Sequence, residues 1–240
     1  MQISVFGLDY VGAVMAGCLA SQGHEVVAVD PDADKVDMLR RAVAPVNEPG
    51  LSQFIKQAVG AKRLRATTDI AEAIASSSLT CICAGTTDEE NRHDLSLTLA
   101  LCERIGDALR DKSKFHAIAL RSALKPGTVR NFVIPALERA SGKRAATDFG
   151  LAIYPEFLRR GTAIEDYVNP PAIILGVTDD ETLARLREMD IALQAPEMVV
   201  ELDEAESMMQ ANLRRPAPAP TPRPAMAWPS LSLADGLCSS

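Results

Sequence analysis

Apolar residues are distributed along this chain in two alternating rhythms. Short, nearly continuous apolar runs are separated by longer segments in which apolar residues return every three or four positions. The short runs at 2–6, 26–29, 64–68, 79–84, 116–120, 149–153, 172–177 and 198–200 read as strands. The longer segments read as helices over 11–21, 31–41, 49–59, 69–75, 95–110, 126–140 and 179–193, and another begins near Asp203. Leu97, Leu101, Ile105 and Leu109 share one face of the fifth helix, and Leu183, Leu186 and Ile191 form the buried side of the seventh. Asp32 and Asp34 suit a helix N-terminus, and Pro126 suits a first helical position. The run Leu79-Thr80-Cys81-Ile82-Cys83-Ala84 is apolar enough for a strand covered on both faces. The alternation predicts an α/β fold, a doubly wound, mostly parallel sheet with helices on both faces. Its ligand-facing residues belong at the carboxyl ends of the strands, where Asp9, Asp30, Thr86 and Arg121 fall.

The last stretch breaks the rhythm. Residues 214–240 hold six of the fifteen prolines, at 216, 218, 220, 222, 224 and 229. Proline at alternate positions blocks helices and central strands, so a disordered or polyproline-like tail is expected, inert or a ligand for a proline-recognising domain. Its abrupt onset is also what read-through in a shifted frame would produce. The expected organisation is a dinucleotide-binding domain over 1–202, a truncated interdomain helix over 203–213 and the tail over 214–240.

Composition narrows the classes of function. The chain has 240 residues, 47% of them hydrophobic, and a net charge of −7. That charge predicts no general attraction to nucleic acid or anionic membrane. No apolar run approaches the roughly 18 residues that span a bilayer, and no Lys or Arg precedes the N-terminal apolar stretch as in a signal peptide. The five cysteines, at 18, 81, 83, 102 and 238, lack metal-ligand spacing and read as reduced thiols of a cytoplasmic protein.

The first thirty residues carry the candidate chemistry. Strand, Gly7-Leu8-Asp9-Tyr10-Val11-Gly12, helix, strand and Asp30 make a dinucleotide-binding βαβ unit. Gly7 permits the tight turn and Gly12 the close approach of helix to strand, while the helix N-terminus attracts a pyrophosphate. Asp30 suits a ribose hydroxyl and repels the 2′-phosphate of NADP, which selects NAD. Asp9 stands where the fingerprint has its second glycine. A carboxylate roughly 5 Å from a phosphate costs about 1–3 kcal/mol, or roughly five- to 150-fold in affinity. The alternative is a Rossmann-like core in which Gly7 and Gly12 serve packing alone.

Five motifs in one order raise a resemblance: Phe6 to Gly12, Asn47-Glu48-Pro49-Gly50-Leu51, Gly85-Thr86, Arg121-Ser122 with Pro126-Gly127-Thr128, and Pro155-Glu156-Phe157-Leu158. Over about 1–212 the chain resembles the UDP-glucose/GDP-mannose dehydrogenase family, which oxidises the C6 hydroxyl of a nucleotide-sugar to a carboxylate with two NAD and a cysteine nucleophile. The resemblance implies NAD contacts at Tyr10, Val11, Asp30, Lys35 and Thr86, and a sugar flanked by the backbone of Phe157 and Leu158. Without the resemblance, Lys35 reads as a solvated helix lysine and Thr86 as a strand-end residue.

The catalytic positions of that family are altered. Its Arg-Ser-Thr is Arg121-Ser122-Ala123 here, and its Asn-Pro-Glu-Phe-Leu-Arg-Glu is Tyr154-Pro155-Glu156-Phe157-Leu158-Arg159-Arg160. An arginine thus replaces the acid/base glutamate and cannot accept a proton. The lysine and asparagine that stabilise a substrate oxyanion fall on Met209 and Leu213. No cysteine has the family's Gly-Gly-Ser-Cys context, so no catalytic residue is assigned. The chain is expected to be the NAD-binding half of a nucleotide-sugar 6-dehydrogenase, unable to complete catalysis alone. A non-catalytic NAD-binding or dimerisation module, as a homo-oligomer or with a full-length relative, and a decaying gene product remain open.

Overall fold

The computed structural model describes residues 1–84, 95–122 and 124–213, and the side chains of 212 and 213 are not part of that description. Thr86, Ala123, Cys238 and the proline-rich segment therefore lie outside the described residues. The chain begins β1 (Gln2–Phe6), α1 (Tyr10–Ser21), β2 (Glu25–Val29), α2 (Ala33–Arg40), α3 (Leu51–Gly60), β3 (Leu64–Thr67), α4 (Ile70–Ala75) and β4 (Leu79–Ile82). It continues α5 (Leu95–Leu109), β5 (His116–Leu120), a π-helical turn (Val129–Val133) running into α6 (Ile134–Ser141), and β6 (Phe149–Ile153). The last described elements are α7 (Ala163–Val168), β7 (Ile173–Val177), α8 (Asp180–Met189), β8 (Glu197–Val200) and α9 (Leu202–Leu213).

The strands form one sheet in the order β3-β2-β1-β4-β5-β6-β7-β8. Pairing is parallel except between β6 and β7. The order reverses between β1 and β4, the switch point at which open α/β sheets place their ligands. The doubly wound, mostly parallel α/β fold expected from the apolar rhythm is the fold observed.

Both faces of the sheet are covered. Ile3, Val5, Ala28 and Cys81 lie on one face with Met15 and Leu19 of α1, Ile55 of α3 and Leu186 of α8. Phe6, Val29, Ile82, Ile118 and Leu120 lie on the other with Ile74 of α4, Cys102 and Ile105 of α5, and Leu202 and Ala205 of α9. Hydroxyls inside so apolar a sheet need partners. Ser4 Oγ lies 2.6 Å from Thr80 Oγ1, which lies 2.8 Å from His116 Nε2, joining β1, β4 and β5 through buried polar groups.

Four local expectations are corrected. The helix expected over 126–140 is divided, because Pro135 has no N–H to give to the preceding turn and the backbone opens into π geometry before α6. Glu206 of α9 takes over capping there: its fully buried carboxylate accepts from Gly127 N at 2.5 Å and Val129 N at 2.8 Å. The helix expected to reach residue 193 stops at Met189, and Ile191 is 81% exposed rather than buried, because the chain turns inward at Asp190. Leu97 is 63% exposed in the first turn of α5, whose buried face is carried by Thr98, Cys102, Ile105 and Leu109. Helix α7 was not expected, since six residues with little apolar period give too weak a signal.

Candidate functional site

Gly7 sits at φ 91°, a left-handed conformation, and a Cβ there would lie 2.8 Å from the backbone of Ala84. A Cβ on Gly12 would lie 1.8 Å from the carbonyl oxygen of Gly7. Both glycines are therefore demanded by the close approach of α1 to the ends of β1 and β4. Asp9 is not strained: it occupies the N-cap of α1 with φ −71° and ψ −169°, extended backbone open to any residue. The missing second glycine costs the backbone nothing.

The Asp9 carboxylate does not cap its own helix. It points instead to Lys35, whose Nζ lies 2.6 Å from Asp9 Oδ1 and 3.9 Å from Asp30 Oδ2. The first-turn amides of α1 are thus left uncapped by Asp9, and its charge is offset by an ammonium that the linear sequence did not place beside it. Asp30 is buried at the end of β2. Its Oδ2 accepts from Leu8 N at 2.5 Å and its Oδ1 from Asp32 N at 2.9 Å. Each oxygen retains a lone pair for a ribose hydroxyl.

Tyr10 closes the other side of the turn. Its hydroxyl donates to Glu48, lies 3.2 Å from the carbonyl oxygen of Arg159, and accepts from Gly161 N at 3.2 Å. Glu48, buried, also accepts from Gly161 N and Ala163 N, each at 2.8 Å. One carboxylate thereby fastens the start of α7 to the N-terminus of α1. Burial first, then the Glu48 carboxylate, drives the Tyr10 phenol above its usual ionisation range. The Arg160 guanidinium lies over the Tyr10 ring at 4.9 Å from its centroid. Arg159 turns away to pair with Asp166 at 2.6 Å. The loop containing Phe157 and Leu158 is thus tied beside the glycine turn. Leu158 packs against the apolar cluster and gives its N–H to Glu156 at 2.7 Å. Burial raises the carboxyl pKa of Glu156.

Beneath the strand ends lies a buried group of ionisable side chains. Arg121 stacks on Tyr154, 4.0 Å from guanidinium carbon to ring centroid, and its Nε has no hydrogen-bond partner among the described residues. Asp190 is 6% exposed, and burial lifts its carboxyl from 3.8 to about 6. Cys18, Cys81, Cys83 and Cys102 are buried free thiols, and burial holds all four above the ordinary thiol range, Cys83 and Cys102 at about 12. None of the four is an activated nucleophile.

Gly7, Tyr10, Gly12, Asp30 and Lys35 lie about the turn from β1 into α1, joined by the Leu8–Asp30 and Lys35–Asp9 contacts, and Val11 follows Tyr10 in the first turn of α1. A profile of the UDP-glucose/GDP-mannose dehydrogenase family, NAD binding domain, matches residues 1–191. The chain belongs to this family. It is 47% identical over 197 residues to a GDP-mannose 6-dehydrogenase of Azotobacter vinelandii, covering 82% of this chain and 45% of that protein. It is 34% identical over 217 residues to UDP-glucose 6-dehydrogenase AglM of Haloferax volcanii, covering 88% of this chain and 50% of that one. A crystal structure of a ternary complex of GDP-mannose dehydrogenase from Pseudomonas aeruginosa superposes with a TM-score of 0.85 at 42% identity, over 88% of this chain and 49% of the other. The chain spans about half the length of the curated relatives it matches.

The cofactor of this family domain is NAD, and the turn fits it: the glycine cradle has no room for a Cβ, the α1 amides are uncapped by Asp9, and an acid stands at the ribose position. The catalytic departures also have a structural setting. Met209 is buried in the second apolar cluster, a place where a lysine ammonium would lose its water. Arg160 is exposed and covers Tyr10. Linear reading missed the capping roles of Glu48 and Glu206 and the burial of Asp190. Glu48 alone had a signal, an acid just before Pro49-Gly50 in a motif shared with the family.

Proposed function

We propose that this chain is the NAD(H)-binding part of a nucleotide-sugar 6-dehydrogenase and does not complete the oxidation by itself. The observation that supports it is the pairing of an unstrained glycine turn with the buried Asp30 carboxylate at the end of β2. In this reading Tyr10, Val11 and Gly12 hold the pyrophosphate at the α1 N-terminus, Asp30 holds the adenosine ribose with Lys35 beside it, and Thr86 contacts the cofactor. The backbone of Phe157 and Leu158 faces the nucleotide-sugar. In this reading residues 1–202 are the cofactor domain, and 203–213 correspond to a truncated interdomain helix. Relatives of higher identity are named GDP-mannose 6-dehydrogenases, which favours GDP-mannose over UDP-glucose as the sugar nucleotide.

Arg160 in place of an acid/base glutamate and the buried Met209 in place of a lysine argue against turnover by this chain alone. A second reading, a non-catalytic module that joins a full-length relative in the cytoplasm, draws on the same two residues. No described helix is long and apolar enough to cross a membrane. Titration of the purified chain with NADH, followed by nucleotide fluorescence, is expected to saturate. No NADH is expected to form from NAD with GDP-mannose or UDP-glucose. Failure to saturate would remove the cofactor-binding reading, and steady NADH formation would remove the non-catalytic one.

A further inference from the structure

The groups around Asp30 are arranged against a second phosphate more thoroughly than one acid requires. A phosphate on the adenosine 2′-oxygen would look for backbone amides and cations at the turn from β2 into α2. The Asp32 amide is taken by Asp30 at 2.9 Å, and the Asp34 and Lys35 amides are taken by Asp32 at 2.9 and 3.5 Å. The Lys35 ammonium lies 3.9 Å from Asp30, close enough to serve a 2′-phosphate, but it is drawn to Asp9 at 2.6 Å. Asp9 has no backbone reason to be there and caps nothing on its own helix.

We propose that Asp9 is a specificity-determining residue, which captures the Lys35 ammonium and so denies it to the 2′-phosphate of NADP. The inference rests on the reading that the glycine turn binds a dinucleotide, and deepens it. Released from Asp9, an ammonium at contact distance from a doubly charged phosphate improves affinity roughly tenfold or more even at a water-like dielectric. NADH lacks that phosphate and gains only from the removal of the Asp9 charge.

The test is a pair of fluorescence titrations, with NADH and with NADPH, on the full chain and on Asp9→Gly, Asp9→Asn, Lys35→Met and Asp9→Gly/Lys35→Met. Asp9→Asn keeps the shape of the side chain without its charge, and circular dichroism checks that every variant is folded. The preference for NADH over NADPH is expected to fall about tenfold in Asp9→Gly and Asp9→Asn. It should return in the double variant, and the NADPH gain should shrink with added salt. An unchanged preference in Asp9→Gly, or a gain that survives loss of Lys35, overturns the proposal while leaving NAD binding intact. Absence of NADH binding in every folded variant overturns the dinucleotide reading and this inference together.

Discussion

Asp190 offers a sharp test of the buried ionisable group. Its carboxylate is enclosed by Arg121 just after β5, Tyr154 just after β6, Tyr167 from α7 and Cys81 from β4, with Glu197 of β8 adding a like charge. Burial raises its pKa most, while the Tyr154 hydroxyl and the Arg121 guanidinium pull it part-way back. Neither carboxylate oxygen has a partner in hydrogen-bonding geometry among the described residues. A carboxyl that titrates at 3.8 in the unfolded chain and at about 6 in the fold favours folding when protonated. Its contribution is complete below pH 3.8 and is lost as the pH rises through about 6. The full loss is about 3 kcal/mol. Asp190→Asn keeps size and polarity but cannot ionise. Urea unfolding followed by far-ultraviolet circular dichroism, in steps from about pH 4 to about pH 8, isolates this residue when the two proteins are subtracted. The buried His24 and His116, whose pKa values are lowered chiefly by burial, act in the opposite sense, losing stability as the pH falls below 6.5. They are common to both proteins and cancel. The variant is expected to gain on wild type by up to about 3 kcal/mol as the pH rises. A difference that stays flat, or that narrows towards alkaline pH, would refute the reasoning.

Two further substitutions probe the turn itself. Glu48→Ala strips the buried Ala163 amide of its acceptor and frees Tyr10, so unfolding in urea should show a loss of about 1–3 kcal/mol, and absorbance titration should show the Tyr10 phenol ionising at lower pH. Gly12→Ala forces a Cβ to within 1.8 Å of the Gly7 carbonyl. It is expected to cost about 1–3 kcal/mol or more in thermal or urea unfolding and to abolish NADH binding, whereas Asp9→Gly, in an unstrained position, should leave stability nearly unchanged.

Much of this protein could be read in order along the chain. The strands at 116–120 and 149–153 coincide with β5 and β6, because a strand buried on both faces must be written as a continuous apolar run. Gly7, Gly12 and Asp30 were legible for a similar reason: a close backbone approach and a strand-end acid leave a local signature. Helix α7 was not, since its start is held by Glu48, 115 residues away from Ala163 along the chain. The inward turn at Asp190, which leaves Ile191 in solvent, was equally invisible to periodicity.

The sequence by itself determined the α/β class, the family and the choice of NAD, and it marked Gly7 to Gly12 as the candidate cofactor turn. The class follows from periods of two to four residues and the turn from local steric demands, which are properties of neighbours in the chain. The family follows from five motifs that stand in one order. Only the tertiary structure decided what Asp9 means. Read alone, it is a carboxylate set against a phosphate. In the fold it is a partner of Lys35, 26 residues on, with ordinary backbone geometry. Charges act through space, so the sign of a residue's effect is known only when the chain has brought its neighbours to it.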